Sequence, residues 1–219
     1  MQLVKPSFNI TTFLNGDQIL KDIERVGRIA YKSEDKITAL SAKDFVKMIV
    51  KRNHGAVLEF GSSITVHFTL DRGVSHELVR HRLASFLQES TRFCNYSKDK
   101  FGNNVTFIIP DCFKDIKEGV YETFSDDLKY TSKLWMHVML EADRTYLQLI
   151  KQGMSPQYAR SVLPNSLKTE IFVKANIREW RHILQLRTAH AAHPQMRQLM
   201  VPLLKEFKLK IPIIFEDII

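Results

Sequence analysis

The densest group of charged and nucleophilic side chains lies at residues 75–93, which read SHELVRHRLASFLQESTRF. Arginine presents a planar fork of N–H donors that fits a phosphate bidentately and also stacks on flat rings. A serine hydroxyl and the backbone amides of a tight loop can complete the hydrogen-bond shell of that phosphate. The segment therefore predicts a cradle for an anionic ligand, and the alternative is a solvated basic helix end followed by a turn.

Two other chemistries are suggested by the same segment and are disfavoured by its spacing. His76-Glu77 begins like the zinc motif H-E-x-x-H, but the second histidine is His81, five positions on. Five helical steps separate two side chains by about 140°, so they cannot share a metal as an i, i+4 pair does. Ser85 and Ser90 lack the G-x-S-x-G surroundings of a hydrolase nucleophile.

A second chemical segment covers residues 176–187, NIREWRHILQLR. Arg178, His182 and Leu186 follow one another at i, i+4 spacing, so a helix would present them on one face. Arg187 lies beside that stripe. Taken alone, the segment is also compatible with an amphipathic helix that exposes its charges.

The remaining candidates for metal or thiol chemistry are few. His190 and His193 could ligate a metal from one helix face, but Pro194 follows and no carboxylate is near, which favours surface or N-cap roles. Cys94 and Cys112 are too few for a disulfide framework or a four-cysteine zinc site. We expect no metal centre.

Composition places the chain among ordinary globular proteins and points to anionic partners. The 219 residues carry 32 Lys plus Arg against 24 Asp plus Glu, a formal net charge of +8, and 44% are apolar. A positive surface concentrates anions such as nucleotides, nucleic acid or acidic metabolites. There is no continuous basic block of the kind found in nucleic-acid tails, so we expect no dedicated nucleic-acid partner.

The sequence pattern also shows no membrane helix and no secretion signal. No apolar run approaches the ~20 residues that a membrane helix needs. The opening residues, MQLVKPSFNITTF, lack the apolar core and small-residue cleavage site of a signal peptide. We expect a reduced, cytoplasmic protein.

Hydrophobic periodicity predicts the elements that must position these side chains. Helices are predicted at about 17–30, from an N-cap at Ser41, at about 75–83, at about 118–152, from Ser155-Pro156, and at 178–190. Strands are predicted at 62–71, 105–109 and 169–177, and residues 85–97 as a polar segment. The fold class is α+β: mixed helices around a small, mostly antiparallel sheet, in a single domain over residues 1–219.

The first segment resembles a known family. Arg80-His81-Arg82, then Ser85, Ser90 and Arg92, match the R-H-R-x-x-S-x-x-x-x-S-x-R signature of flavin-dependent thymidylate synthases. The second segment is similar to the family stretch in which Asn, Arg and His bind FAD and a later Arg binds dUMP.

The resemblance implies a role for each matching residue. It implies substrate contacts at Glu77, Arg80, Gln88, Glu89, Ser90, Arg92, Arg160 and Arg187. It implies FAD contacts at His54, Arg80, His81, Arg82, Gln88, Asn176, Arg178, His182 and Leu186. Arg187 is the residue expected to activate the uracil ring. Ala56 and Phe60 depart from the Thr or Ser and the histidine that are frequent in the family.

The resemblance also implies a reaction: reductive methylation of dUMP to dTMP without an enzyme nucleophile. Methylenetetrahydrofolate would supply the carbon, and NADPH the electrons through FAD. The family's FAD pocket is shared between subunits, which implies a homo-oligomer, with a homotetramer expected. A basic nucleic-acid-binding protein and a metal-dependent hydrolase that uses His76, His81, His190 or His193 are the competing hypotheses.

Overall fold

Seven strands form two sheets in a computed structural model that describes all residues from 1 to 219. The strands are β1 Gln2–Val4, β2 Ser7–Ile10, β3 Ile64–Asp71, β4 Ser85–Gln88, β5 Thr106–Ile108, β6 Gly119–Val120 and β7 Lys168–Ala175. The smaller sheet has the order β5-β1-β6, with β1 parallel to β5 and antiparallel to β6. The larger has the order β2-β3-β7-β4.

Nine α-helices complete the chain. They are α1 Gly16–Ala30, α2 Ser41–Lys51, α3 Gly55–Leu58, α4 Arg72–Leu78, α5 Tyr130–Lys151, α6 Pro156–Ala159, α7 Ile177–Thr188, α8 Pro194–Lys210 and α9 Pro212–Phe215. No helix combines the length and the apolar character required to cross a membrane.

The chain divides into two compact units, each made of several stretches of sequence. Unit 1 comprises residues 1–7, 68–80 and 87–171, and unit 2 comprises residues 8–67, 81–86 and 172–219. The long strands β3 and β7 each continue from one unit into the other.

Each unit has its own apolar core. In unit 1, Met136, Met139 and Tyr146 of α5 pack in a buried cluster with Leu3 and Phe107 of the smaller sheet. In unit 2, the fully buried indole of Trp180 meets the ring of Phe207 edge to face, with centroids 5.5 Å apart, and Phe207 packs in turn on Phe215.

Elements with strong periodicity are found where the sequence predicts them. The side chains of Ile64, Val66, Phe68 and Leu70 are fully buried, as the alternation in β3 predicts. The helix predicted at about 17–30 is α1, and its N-cap residue Asn15 accepts from the Gln18 backbone N–H. The strand predicted at 169–177 is β7, and the helix predicted at 178–190 is α7.

Several other predictions are wrong. The protein has two sheets and not one, and the β1–β5 pair is parallel. Residues 118–129 are not helical; they contain β6, and α5 begins only at Tyr130. The polar segment at 85–97 contains strand β4, whose residues alternate between exposed and half-buried.

Two helix boundaries also differ from the prediction. Helix α4 runs from Arg72 to Leu78, so Arg80, His81 and Arg82 follow it in a turn and a loop. Ser41 is the first residue of α2 and not its N-cap. Its hydroxyl accepts from the Thr38 backbone N–H and donates to the carboxylate of the buried Glu24, which ties α2 to α1.

Candidate active site

Helix α4 carries the first predicted substrate residues in unit 1. The carboxylate of Asp71 accepts from the Val74 backbone N–H over 2.7 Å and so caps the helix. Glu77 lies in the last turn, and the Arg80 backbone N–H bonds to the Glu77 carbonyl at 3.3 Å in the turn that follows. Because this bond fixes the turn, the exposed side chain of Arg80 has a defined starting position just after α4.

The amide of Gln88 is anchored on both sides. Its Nε2 donates to the hydroxyl of Ser75 on α4 over 2.9 Å and to the hydroxyl of Thr169 on β7 over 3.1 Å. Both hydroxyls are on buried residues. Gln88 is therefore a fixed point at the end of β4, immediately before the loop that carries Ser90 and Arg92.

Glu89 stabilises that loop through hydrogen bonds of its side chain. Its carboxylate accepts from the Tyr96 hydroxyl and from Lys168 Nζ, each at 3.1 Å. Burial alone would lower the pKa of Lys168, but its hydrogen bonds to Glu170 and Glu89 and their charges outweigh burial and raise it. The structure thus gives Glu89 a supporting position, and its predicted contact with substrate stays a prediction.

Ser90 and Arg92 lie in a tight turn. The Ser90 carbonyl accepts from the backbone N–H groups of Phe93 and Cys94, and its hydroxyl accepts from the Arg92 N–H at 3.4 Å. The Arg92 guanidinium is exposed, with its carbon 5.5 Å from the centroid of the Phe93 ring. The turn therefore offers a hydroxyl and a guanidinium together.

A cleft of about 330 Å³ lies beside this turn in unit 1. Arg160 lines it and donates from Nη1 to the hydroxyl of the buried Thr91 over 2.9 Å. Arg72 and His76 line the same cleft, so it gathers two guanidinium groups and an imidazole. Such a cleft suits an anion. Sequence reasoning missed Arg72 and considered His76 only as a metal ligand, although their i, i+4 spacing in the helix signals a shared face.

Helix α7 positions the second predicted group, in unit 2. Asn176 caps it, its side-chain oxygen accepting from the Glu179 N–H over 2.9 Å. Trp180 anchors the buried face and donates from its indole N–H to the Ile64 carbonyl over 2.9 Å. The outward side of the helix consequently exposes Arg178, His182 and Leu186, the stripe expected from the spacing.

His81 meets this helix although 106 residues separate it from Arg187. Arg187 Nε donates to His81 Nε2 over 3.0 Å, and the rings of His81 and His182 form a T-shaped pair with centroids 5.7 Å apart. Burial, with the charges of Arg187 and His182, lowers the pKa of His81 to about 4. The imidazole is therefore neutral at neutral pH.

Glu179 completes this cluster, which we call the His81 cluster: His81, Glu179, His182 and Arg187. One Glu179 oxygen lies 3.5 Å from His81 Nδ1, and burial raises the pKa of the carboxyl group. The ligand-type atoms of its two histidines and Glu179 lie within 4.8 Å of one another, close enough for a metal. However, the Arg187 cation occupies the Nε2 lone pair and would repel a metal ion, so the cluster fits a metal poorly.

Two further contacts in unit 2 position His54 and Arg178, which are both predicted to contact the flavin. The Tyr31 hydroxyl lies 2.8 Å from His54 Nδ1, and their rings are stacked. Arg178 forms an ion pair with Glu59. A Cβ at Gly55 would lie 2.9 Å from Arg178 Nε, so only glycine lets the arginine lie this close to α3.

The donor set fits the cofactor that the sequence implies. FAD combines a pyrophosphate with flat aromatic rings, and the exposed groups of unit 2 include Arg82, Arg178, His54 and His182. Guanidinium groups bind phosphate oxygens, and both guanidinium and imidazole planes stack on rings. Ala56 is exposed and offers no hydroxyl, and the exposed Phe60 ring offers no hydrogen-bonding nitrogen in place of the histidine that is frequent there.

Comparison with known proteins places this chain in a family. The family model described as thymidylate synthase complementing protein matches residues 14–213. A flavin-dependent thymidylate synthase of Corynebacterium aurimucosum is 30% identical over 204 residues, covering 89% of this chain and 78% of that protein. One of Pyrococcus furiosus is 30% identical over 183 residues, covering 82% and 68%. The chain belongs to the family of flavin-dependent thymidylate synthases.

The fold is shared with a solved structure. The UMP/dUMP methylase PolB from Streptomyces cacaoi, bound with 5-Br dUMP, matches with a TM-score of 0.77 and 22% identity, over 99% of this chain and 96% of that chain. Its complex with 5-Br UMP matches with a TM-score of 0.75 and 20% identity. Together with the family match, this likeness confirms the α+β class predicted from the sequence.

Proposed function

We propose that this protein methylates dUMP to dTMP, with methylenetetrahydrofolate as carbon donor and NADPH as the source of electrons passed through FAD. Enzymes of this family are methyltransferases, and FAD is their cofactor. The observation that carries the proposal is the bond between Arg187 and His81, because it joins the two motif segments in one cluster.

The overall change balances without an enzyme nucleophile. The methylene carbon of methylenetetrahydrofolate forms a bond to C5 of uracil while its two C–N bonds to the folate break, and the C5 hydrogen leaves as a proton. A hydride that originates from NADPH reduces the transferred carbon to a methyl group. The two folate nitrogens take up two protons, one more than C5 releases, and tetrahydrofolate and NADP⁺ are released. FAD, when bound, supplies the hydride-transfer chemistry that side chains lack.

The charged groups of unit 1 are suited to the phosphate of dUMP. Arg160 is oriented by Thr91 at the cleft, and Ser90 and Arg92 are presented by the neighbouring turn. Charge-assisted hydrogen bonds from guanidinium groups to phosphate are about twice as strong as neutral ones. We assign these three residues to holding the nucleotide, with Gln88 as the fixed point of the loop.

Arg187 is suited to activating the base. Uracil is a poor carbon nucleophile, and negative charge on its ring must be stabilised if C5 is to attack a methylene group. A guanidinium is planar and permanently cationic, and its effect on developing charge is large where water is excluded. The half-buried Arg187 is held by the neutral His81, so its charge is not cancelled by that partner.

We also propose that the working enzyme is a homo-oligomer, a homotetramer by family resemblance, with sites shared between copies. Large apolar side chains in the motif segment are widely exposed: Leu83 at 80%, Leu87 at 73% and Phe93 at 79%. Such exposure in a segment that binds ligands favours cover by a second copy. Light scattering of the flavin-bound protein tests this, and a fully active monomer contradicts it.

The activity test combines colour with turnover. Purified protein should be yellow, and with dUMP, methylenetetrahydrofolate, FAD and NADPH it should release tritium from dUMP labelled at C5. UMP should be assayed in parallel, and each component omitted in turn. Arg92→Ala should raise the Michaelis constant for dUMP, whereas the exposed Arg25→Ala should match wild type. Absence of tritium release with flavin bound contradicts the proposal.

A further inference from the structure

Glu179 is a buried acidic residue, and none of the substrate or cofactor roles described above is assigned to it. It is 5% exposed, and its backbone N–H is used by the Asn176 cap. Placing a carboxylate in such a position costs free energy unless a partner compensates. The nearest recorded partner is His81, whose Nδ1 lies 3.5 Å from Oε1 of Glu179. A ring nitrogen of His182 also lies within 4.8 Å of the carboxylate.

The position of the proton on His81 follows from its other partner. The low pKa makes the imidazole neutral, so only one of its two nitrogens carries a hydrogen. An arginine N–H can only donate, and Arg187 Nε lies 3.0 Å from His81 Nε2. Nε2 is therefore the acceptor, and the single proton is on Nδ1, the nitrogen that faces Glu179.

We propose that Glu179 is a positioning residue that acts through His81 on Arg187. Its carboxylate favours the Nδ1–H form of His81, which leaves the Nε2 lone pair to orient the guanidinium that activates the base. Carboxylates orient metal-bound and catalytic histidines by the same hydrogen-bond logic. The inference rests on the proposed function only for the role of Arg187; the tautomer itself is independent of it.

Removing the carboxylate should weaken this chain of contacts. In Glu179→Ala no carboxylate faces Nδ1, so the Nε2–H form of His81 is no longer disfavoured. In that form the Nε2 hydrogen would point at the N–H donor of Arg187, and the hydrogen bond between them would be lost. Glu179→Gln keeps an oxygen that can accept from Nδ1–H at nearly the same volume. The two variants therefore separate a hydrogen-bond role from a purely electrostatic one.

The direct measurement is the tautomer of His81 in the full chain labelled with ¹⁵N-histidine. Long-range ¹H–¹⁵N correlations at pH 7 distinguish the protonated nitrogen from the bare one, and His81→Gln assigns the signal. Wild type and Glu179→Gln should show Nδ1–H, and Glu179→Ala should show a population of Nε2–H. The exposed Glu206→Ala serves as the matched control and should match wild type.

Kinetics supply the second readout. Glu179→Ala should lower kcat for dTMP formation about tenfold, the scale of one hydrogen bond to a charged group, while the Michaelis constant for dUMP and the Kd of FAD change less than about threefold. Glu179→Gln should recover most of the loss. Equal losses in both variants, or an unchanged tautomer and kcat in Glu179→Ala, overturn the proposal.

The remaining outcomes are also decisive. If Glu179→Ala does not fold, an Nε2–H form in Glu179→Gln overturns the proposal and an Nδ1–H form with near-normal kcat supports it. Stoichiometric binding of Zn²⁺ that shifts the His81 and His182 signals overturns it in favour of a metal site. Failure of the proposed function is distinct, because wild type would then form no dTMP while the tautomer signals still report on Glu179.

Discussion

The hydroxyl of Tyr31 lies 2.8 Å from Nδ1 of His54, with the two rings stacked at an interplanar angle of 15°. Tyr31 follows α1 directly, and His54 stands at the N-cap position of α3 without capping it through its side chain. Tyr31 therefore fixes the orientation of the His54 ring, and with it the direction of the ring nitrogen that faces away from the tyrosine.

Tyr31→Phe should weaken FAD binding. The variant keeps the stacked ring and loses only the hydroxyl, so the imidazole of His54 is no longer held in one orientation. One hydrogen bond contributes about 1 kcal/mol, which corresponds to a Kd about fivefold higher. Flavin fluorescence titration measures this, and the exposed Tyr130→Phe is the control. An unchanged Kd would remove His54 from the flavin contacts.

Ser90→Ala should act on binding and not on chemistry. A serine hydroxyl attacks a pyrimidine only when an adjacent base takes its proton, and the hydroxyl of Ser90 instead accepts from the Arg92 backbone N–H. The Michaelis constant for dUMP should rise about tenfold or more, as for a lost bond to a charged group. Complete inactivity with normal dUMP binding would restore Ser90 as a candidate nucleophile.

Arg187→Ala should separate flavin reduction from methylation. We expect the yellow flavin and NADPH oxidation to persist while dTMP formation falls ~10²-fold or more, the scale of one lost electrostatic donor. Lysine should restore activity only in part, because its point charge lacks the planar fork. Near-normal dTMP formation by Arg187→Ala would place the activating group elsewhere, with Arg80 or Arg160 the next candidates.

Neither cysteine should be required for turnover. Burial and the nearby Glu89 carboxylate raise the pKa of Cys94, so its thiol is protonated at neutral pH and a weak nucleophile. Cys112 is exposed. The double variant Cys94→Ala, Cys112→Ala should keep its kcat within about twofold. Loss of turnover in a folded, flavin-loaded double variant would show that a thiol takes part.

His81 should make stability depend on pH. Its folded pKa of about 4 lies below the ordinary 6.5, so the unfolded chain binds the extra proton between these values and stability is lost as pH falls from 6.5 towards 4. The loss reaches about 3 kcal/mol in full. Glu179, whose pKa is raised, acts in the opposite sense.

The contribution of His81 to the pH dependence of stability is therefore measured by comparing wild type with a variant that lacks the imidazole. Urea unfolding of wild type and of His81→Gln at pH 7 and pH 5 gives four free energies of unfolding. Wild type should lose more stability than the variant on acidification. Equal losses would mean that His81 is solvated or charged in the folded protein.

The predictions from sequence succeed where local chemistry decides the structure. Alternation over residues 62–71 predicts β3 because one face of that strand packs inward. The helix predicted at 178–190 is found as α7, and its start is set locally, by the side chain of Asn176 that caps it. The signature from Arg80 to Arg92 predicts the family because the types and spacings are fixed together.

The predictions fail where distant contacts decide. Nothing in residues 79–83 forbids a helix, yet α4 ends at Leu78 and His81 is buried against α7. Short strands such as β6 carry too few residues for a pattern and exist through pairing with β1. The approach of Glu179 to His81, 98 positions apart in the chain, leaves no signal in one sequence.

The path of the chain between the two units limits how the molecule can be divided. The chain passes from one unit to the other after Ser7, His67, Arg80, Phe86 and Ile171. Any single break between residues 8 and 171 consequently leaves both units without part of their sequence. One crossover between two relatives within this range therefore gives a hybrid in which each unit combines residues from both parents, and neither unit is inherited whole from one of them.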